Sequence, residues 1–163
     1  MPKSVCADFS KHDITEKYYD SIYRLALSQT KNSDVADDVV QEVFLRYIRT
    51  DKPFESEEHI KAWLIRVTIN CTKSHFMSSW FKKTAPLTED LSFELPEQSD
   101  VYYAVAELER KYRTVIHLFY FEDYSVKEIA KMLKMNESTV KSRLHRGRQL
   151  LKNMLEGSGE YEF

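Results

Sequence analysis

"NESTVKSRLHRGRQLLK", Asn136–Lys152, places six basic side chains, counting His145, within seventeen residues of a chain that is formally acidic at net −2. Val140, Leu144 and Leu151 recur there at spacings of four and seven, the period of one helix face, which leaves Lys141, Ser142, His145, Arg146 and Gln149 on the other side. Just upstream, Ser125-Val-Lys-Glu128 has the form of a capping box opening a short helix with Val126, Ile129, Ala130 and Leu133 inward. "KMN" breaks that helix before Glu137-Ser138-Thr139 starts the next. Two helices joined by a tight break, the second of them basic, make a helix-turn-helix. Lys and Arg on its exposed side suit phosphates or guanine acceptors, and Ser and Gln can reach base edges.

The charge is local. Residues 1–76 hold eleven Lys/Arg against twelve Asp/Glu and residues 101–124 hold three against four, whereas residues 125–156 hold eight against three. An excess confined to one helical element is an electrostatic footprint for a polyanion rather than a general property of the chain.

Working back toward the N-terminus, three glycines and four prolines in 163 residues argue for long helices over the many turns of an all-β protein. Asp13-Ile-Thr-Glu16 resembles a capping box, followed by Tyr18, Ile22, Leu25 and Ala26 on one face of a first helix. A second apolar stripe runs through Val39, Val40, Val43, Phe44, Tyr47 and Ile48, and a third through Ile60, Trp63, Leu64, Val67 and Cys71. Three such faces close a small bundle. From Val101 the helical period resumes through Val105, Leu108, Tyr112, Val115, Ile116 and Phe119. Between the two helical regions, a stretch with Pro86 and Pro96, two cations and five anions has no sustained period and reads as a linker, although Trp80, Phe81 and Phe93 are apolar for a free tether.

The expected fold is therefore all-α: a helical domain over 10–77, an acidic flexible linker over 78–98, and a helix-turn-helix domain over 99–156. Cys6 and Cys71 are too few and too far apart for a disulfide framework or a metal site and read as reduced thiols. No run approaches a membrane span, and the N-terminus lacks the basic start and apolar run of a secretory signal, so a cytoplasmic protein without membrane insertion is expected. On the second helix, Asp38, Gln41, Glu42, Leu45 and Arg49 form the face away from the apolar stripe. A leucine among charges there is the pattern of a docking surface for a protein partner, although singly exposed leucines are also common.

Together, "SDVADDVVQEVFLRYIR", "FESEEHIKAWLIRVTINCTKSHF" and "DYSVKEIAKMLKMNESTVKSRLHRGRQLLK" resemble, in order, the bacterial extracytoplasmic-function sigma factors, the smallest initiation subunits of RNA polymerase. The resemblance implies a subunit that binds core RNA polymerase and directs promoter-specific initiation, reading the minus-35 duplex and the melted minus-10 strand. It matches Asp38, Gln41, Glu42 and Leu45 to the segment that docks on the coiled-coil clamp of the largest polymerase subunit. The loop "RTDKPFES", with Lys52 and Phe54, and the face of Trp63, Arg66, Asn70 and Lys73 match the part that holds single-stranded bases, Asn70 aligning with a residue of the flipped-base pocket. The spacing of Trp63 also suits the core, with one edge showing. Lys141, Ser142, His145 and Arg146 match positions that read the minus-35 element, and Thr139 lies near a phosphate at the helix start. An anti-sigma protein is implied as a further partner.

Three departures stand out. Asp123-Tyr124-Ser125 replaces the Gly-Leu-Ser that many relatives carry, Gly147 replaces an alanine, and Phe119 replaces a basic residue of some relatives. Glycine within a helix costs about 1 kcal/mol of propensity against alanine, so either the helix bends or another backbone packs closely there. Two other readings are a freestanding dimeric helix-turn-helix regulator and a metal-dependent nuclease using Asp34, Asp37, Asp38 and Glu42. The first lacks a coiled-coil heptad. The second lacks His-x-x-x-His spacing among histidines at 12, 59, 75, 117 and 145 and any nucleotide loop, so no catalytic residue, metal or cofactor is expected.

Overall fold

The computed structural model describes residues 10–77 and 100–156, whose regular secondary structure is all helical, with no strand among them. The linker over 78–98, Cys6 and the C-terminal "GSGEYEF" lie outside the described residues. The chain divides into two compact units, one on each side of the linker.

The N-terminal unit consists of α1 (Lys11–Thr30), α2 (Ser33–Arg49) and α3 (Glu57–Met77). Ile14, Ile22, Leu25, Val39, Val43, Tyr47, Ile60 and Leu64 are buried where the three apolar stripes meet. Each such side chain contributes about 1.5–3 kcal/mol on leaving water. α1 begins with Ser10 as its N-cap, without a side-chain cap bond. Asp13 therefore sits inside the first turn, where its charge favours the positive end of the helix dipole, and the capping box expected at Asp13–Glu16 does not form. The chain turns sharply at Lys31, whose left-handed backbone (φ 54°) lets its N–H reach the Leu27 carbonyl at 2.8 Å. Asn32 then caps α2 by accepting from the Val35 N–H at 3.1 Å. Ile48, expected inward, is 56% exposed. The inward stripe ends at Tyr47, and Ile48 lies one residue round toward solvent.

The C-terminal unit consists of α4 (Asp100–Glu107), α5 (Arg110–Ile116), α6 (Val126–Leu133) and α7 (Glu137–Glu156). The run from Val101 to Phe119 is not one helix, for it breaks at Leu108–Glu109. Arg113, buried on α5, donates from Nη1 to the Leu108 carbonyl at 2.8 Å and the Ala106 carbonyl at 3.4 Å, tying down the end of α4. Burial pulls its guanidinium down to about 10, with the nearby Arg110 charge acting the same way. That value still leaves it charged at neutral pH. After α5 the backbone widens into a π turn over His117–Phe121, closed by the Glu122 N–H on the His117 carbonyl at 3.2 Å.

Asp123 follows with φ 58°. This left-handed position is one that glycine occupies freely and that aspartate tolerates better than most residues. It accounts for the Gly that the resemblance leads one to expect there. Ser125 and Glu128 form the capping box in both directions, at 3.1 and 3.2 Å. α6 ends at Lys134 in the left-handed conformation, and α7 follows, with Val140, Leu144, Leu151 and Leu155 buried as its spine.

Candidate nucleic-acid interface

On α7 the buried spine fixes which residues face out. Lys141, Ser142, His145 and Arg146 are exposed on the opposite side, and Thr139 is half-buried in the first turn. Four side chains that carry hydrogen-bond donors, Lys141 and Arg146 among them, thus share one helical face. Arg148 is also on α7 but is engaged within the unit. Its Nε donates to the Tyr120 hydroxyl at 2.6 Å, and its guanidinium lies 5.5 Å from the Phe119 ring centroid and 5.6 Å from that of Tyr120. Arg148 therefore locks α7 onto the π turn. Phe119, in place of a basic residue, supplies one of the two rings, a role that sequence spacing does not reveal.

Gly147 lies on the buried side of α7. A Cβ there would stand 3.0 Å from Ile116 Cγ1, 3.2 Å from Ile116 Cδ1 and 3.6 Å from Tyr112 Cβ. α5 packs closely against the glycine, and the group nearest to it is a side chain rather than a backbone.

In the N-terminal unit, Asn70 and Lys73 are exposed on α3, with Arg66 half-buried one turn before Asn70. Spacings of four and three keep these three on one face. Trp63 is half-buried, its ring centroid 5.6 Å from that of Phe54 and 6.1 Å from that of Tyr47, so it packs into the unit. Phe54 differs from expectation: it is only 5% exposed and lies among Tyr47, His59 and Trp63. A ring sequestered in this way offers no face for a base to stack on. Lys52, two residues earlier, is exposed. The end of the loop is pinned by the Glu55 N–H donating to His59 Nδ1 at 3.1 Å and by Ser56 Oγ accepting from the His59 N–H at 3.0 Å.

On α2, Asp38 and Gln41 are exposed, Leu45 is 41% exposed, and Glu42 is half-buried and held by Arg46 Nε at 2.7 Å. That hydrogen bond also raises the Arg46 guanidinium above its ordinary range. Ile48 joins Leu45 on the outward side, so the face carries two apolar side chains among its charges. Elsewhere in the unit, Lys17 and Tyr18 both bond the Glu57 carboxylate, joining α1 to the start of α3 and holding the carboxyl below its usual range. Burial pushes the Cys71 thiol up, away from the reactive thiolate. Among the described residues no cluster of His, Cys, Asp and Glu is arranged to hold a metal ion, and no helix is long and apolar enough to cross a membrane.

The fold is thus that of a two-part helical protein, a three-helix unit with a mixed acidic and apolar face and a helix-turn-helix unit with a cationic outward face. The Sigma-70 region 2 family model matches residues 14–81, and the Sigma-70, region 4 model matches residues 98–151. The ECF RNA polymerase sigma factor SigW of Bacillus subtilis is 31% identical over 164 residues, covering 88% of this chain and 87% of its own length. RNA polymerase sigma factor SigV of the same organism is 32% identical over 139 residues, covering 82% and 83%. The chain belongs to the extracytoplasmic-function sigma factors and serves promoter-specific initiation by RNA polymerase.

The fold is shared with the sigma factor RpoE of Bartonella quintana, solved in complex with the anti-sigma factor NepR (TM-score 0.70, 21% identity, 88% of this chain and 97% of that one). It is also shared with CnrH, solved in complex with the cytosolic domain of CnrY (TM-score 0.66, 21% identity, 91% and 89%). A freestanding helix-turn-helix regulator is not favoured. Sigma factors are initiation subunits, not enzymes.

Proposed function

We propose that the two units divide the work of promoter recognition. The outward face of α7, with Lys141, Ser142, His145 and Arg146, reads the minus-35 duplex in the major groove while Thr139 meets a phosphate at the helix start. The loop after α2, through Lys52, and the α3 face of Arg66, Asn70 and Lys73 hold the melted minus-10 strand, with amide hydrogen bonds and phosphate pairing in their ordinary roles. Trp63 adds one ring edge, and Phe54 acts from beneath as the packed support of the loop. Asp38, Gln41, Glu42 and Leu45 dock on core polymerase.

The observation that carries this reading is the segregation on α7 of a continuous cationic, donor-rich face from a buried apolar spine. An acidic chain needs only such local basic surfaces when the polymerase supplies most of the non-specific affinity for DNA. An anti-sigma protein is the further partner, as in the solved RpoE–NepR complex of like fold. The protein works in the cytoplasm, with no catalysis of its own. Transcription from a randomised promoter library with purified core enzyme tests the whole reading. Transcripts that depend on the added chain and share two spaced elements are expected, and transcripts sharing neither element would overturn it.

A further inference from the structure

The N-terminal turn of α1 carries a side chain that reaches the far end of α2. Lys11 Nζ lies 2.9 Å from the Tyr47 carbonyl, 3.0 Å from that of Ile48 and 2.8 Å from that of Thr50, and it sits 5.4 Å from the centroid of the Tyr47 ring. An ammonium has three N–H donors and no acceptor, so three carbonyls at the end of one helix use its full capacity. These groups are among those a helix leaves unpaired at its C-terminus, where the dipole also favours a cation. α2 has no glycine to close it and instead passes into an extended residue at Thr50. The direction in which the chain leaves α2 is therefore set from another helix. Downstream the loop is fixed by the buried Phe54 ring and the Ser56–His59 cap, so Lys11 is the upstream anchor of the segment that exposes Asp51, Lys52 and Pro53.

We propose that Lys11 is a positioning residue for minus-10 recognition, its ammonium holding the α2 C-terminus so that the loop from Thr50 to Ser56 meets the melted strand in one conformation. The proposal rests on the reading that this loop and the neighbouring α3 face hold that strand. Lys11 Nζ bonds the C-terminal end of α2 rather than its outward Asp38–Leu45 side, so its effect is confined to one promoter element.

The test uses the full chain with core polymerase on a promoter scaffold whose minus-35 and minus-10 positions are randomised in turn, and sequences the templates held in open complexes. Wild type, Lys11→Met, which keeps the alkyl stem, and Lys11→Arg, which restores donors and charge, are compared. Lys11→Met is expected to flatten the enrichment at the minus-10 positions about fivefold, the order expected for losing hydrogen bonds to a charged donor at a partly exposed site. Minus-35 enrichment and affinity for core polymerase should stay within twofold of wild type, and Lys11→Arg should restore most of the minus-10 enrichment. Wild-type minus-10 enrichment in Lys11→Met overturns the proposal. So does a uniform fall in both elements and in core affinity, which marks a general folding defect. Asn70→Ala and Lys52→Ala are run alongside: if neither alters minus-10 enrichment, the underlying reading of the strand-binding surface fails, a result distinct from failure of Lys11 alone.

Discussion

Replacing Gly147 by alanine sets two effects of similar size against each other. A buried helical position should gain about 1 kcal/mol from the better helix former. The new methyl, however, would stand 3.0 Å from Ile116 Cγ1 and 3.2 Å from Cδ1, where carbon atoms are comfortable at about 3.5–4.0 Å. Cδ1 can swing aside, but Cγ1 is held close to the α5 backbone on a β-branched, fully buried residue with a stiff first torsion. Relief then requires α5 and α7 to separate by a few tenths of an ångström, and overpacking of this kind costs about 1–3 kcal/mol. The net expectation is a loss of about 1 kcal/mol. Hydrogen exchange of the α7 amides from Val140 to Leu151, in the full chain, reads this as exchange about fivefold faster than wild type. In an Ile116→Ala background, which lacks both Cγ1 and Cδ1, the alanine at 147 should cost less, so the pair couples favourably. Slower exchange in Gly147→Ala, by the same factor, would mean that propensity alone decides the site and that the close approach of Ile116 is not a constraint.

Arg146→Ala should weaken minus-35 binding by about 1–3 kcal/mol if the guanidinium makes bidentate base contacts, with core-polymerase binding unchanged; equal affinity for specific and scrambled minus-35 duplexes in both proteins would remove Arg146 from the readout. Asn70→Ala should slow open-complex formation more than it weakens the closed complex, since the amide supplies both a donor and an acceptor to an unstacked base. Permanganate footprinting at equal occupancy checks this, and unchanged strand opening would return Asn70 to an ordinary solvated position.

The helices and their inward faces were legible because period and burial agree: the Val140–Leu144–Leu151 spine and the Ser125–Glu128 box stand where their spacing puts them. Errors fall at the edges of patterns. Ile48 adjoins the inward stripe of α2 and differs from Tyr47 by a single residue step, which is enough to turn it to solvent. Asp13 and Glu16 have capping-box spacing, but α1 already starts at Lys11, and local spacing does not say which turn is first. Phe54 sits in a loop, where no period tells inward from outward, and its burial depends on rings supplied by α2 and α3. The Lys11 anchor and the Arg148–Tyr120 bond span 36 to 39 and 28 residues respectively. No local signal announces contacts at such separations. Gly147 shows the intermediate case: its propensity cost was visible, while Ile116, the side chain packed closely against it, was not.

The division of labour depends on α2 meeting the polymerase, and Leu45→Glu tests it most directly. Leu45 is 41% exposed, so a carboxylate there can remain in water and the helical circular-dichroism signal and melting cooperativity should be nearly unchanged. At a protein interface the same carboxylate must be desolvated without a partner, which costs about 2 kcal/mol or more at a central contact. Titration of labelled core polymerase with the two proteins should therefore show affinity reduced about thirtyfold or further, with promoter-specific transcription lost in parallel. A folded Leu45→Glu protein that binds core polymerase with wild-type affinity would contradict the account and place the docking surface elsewhere.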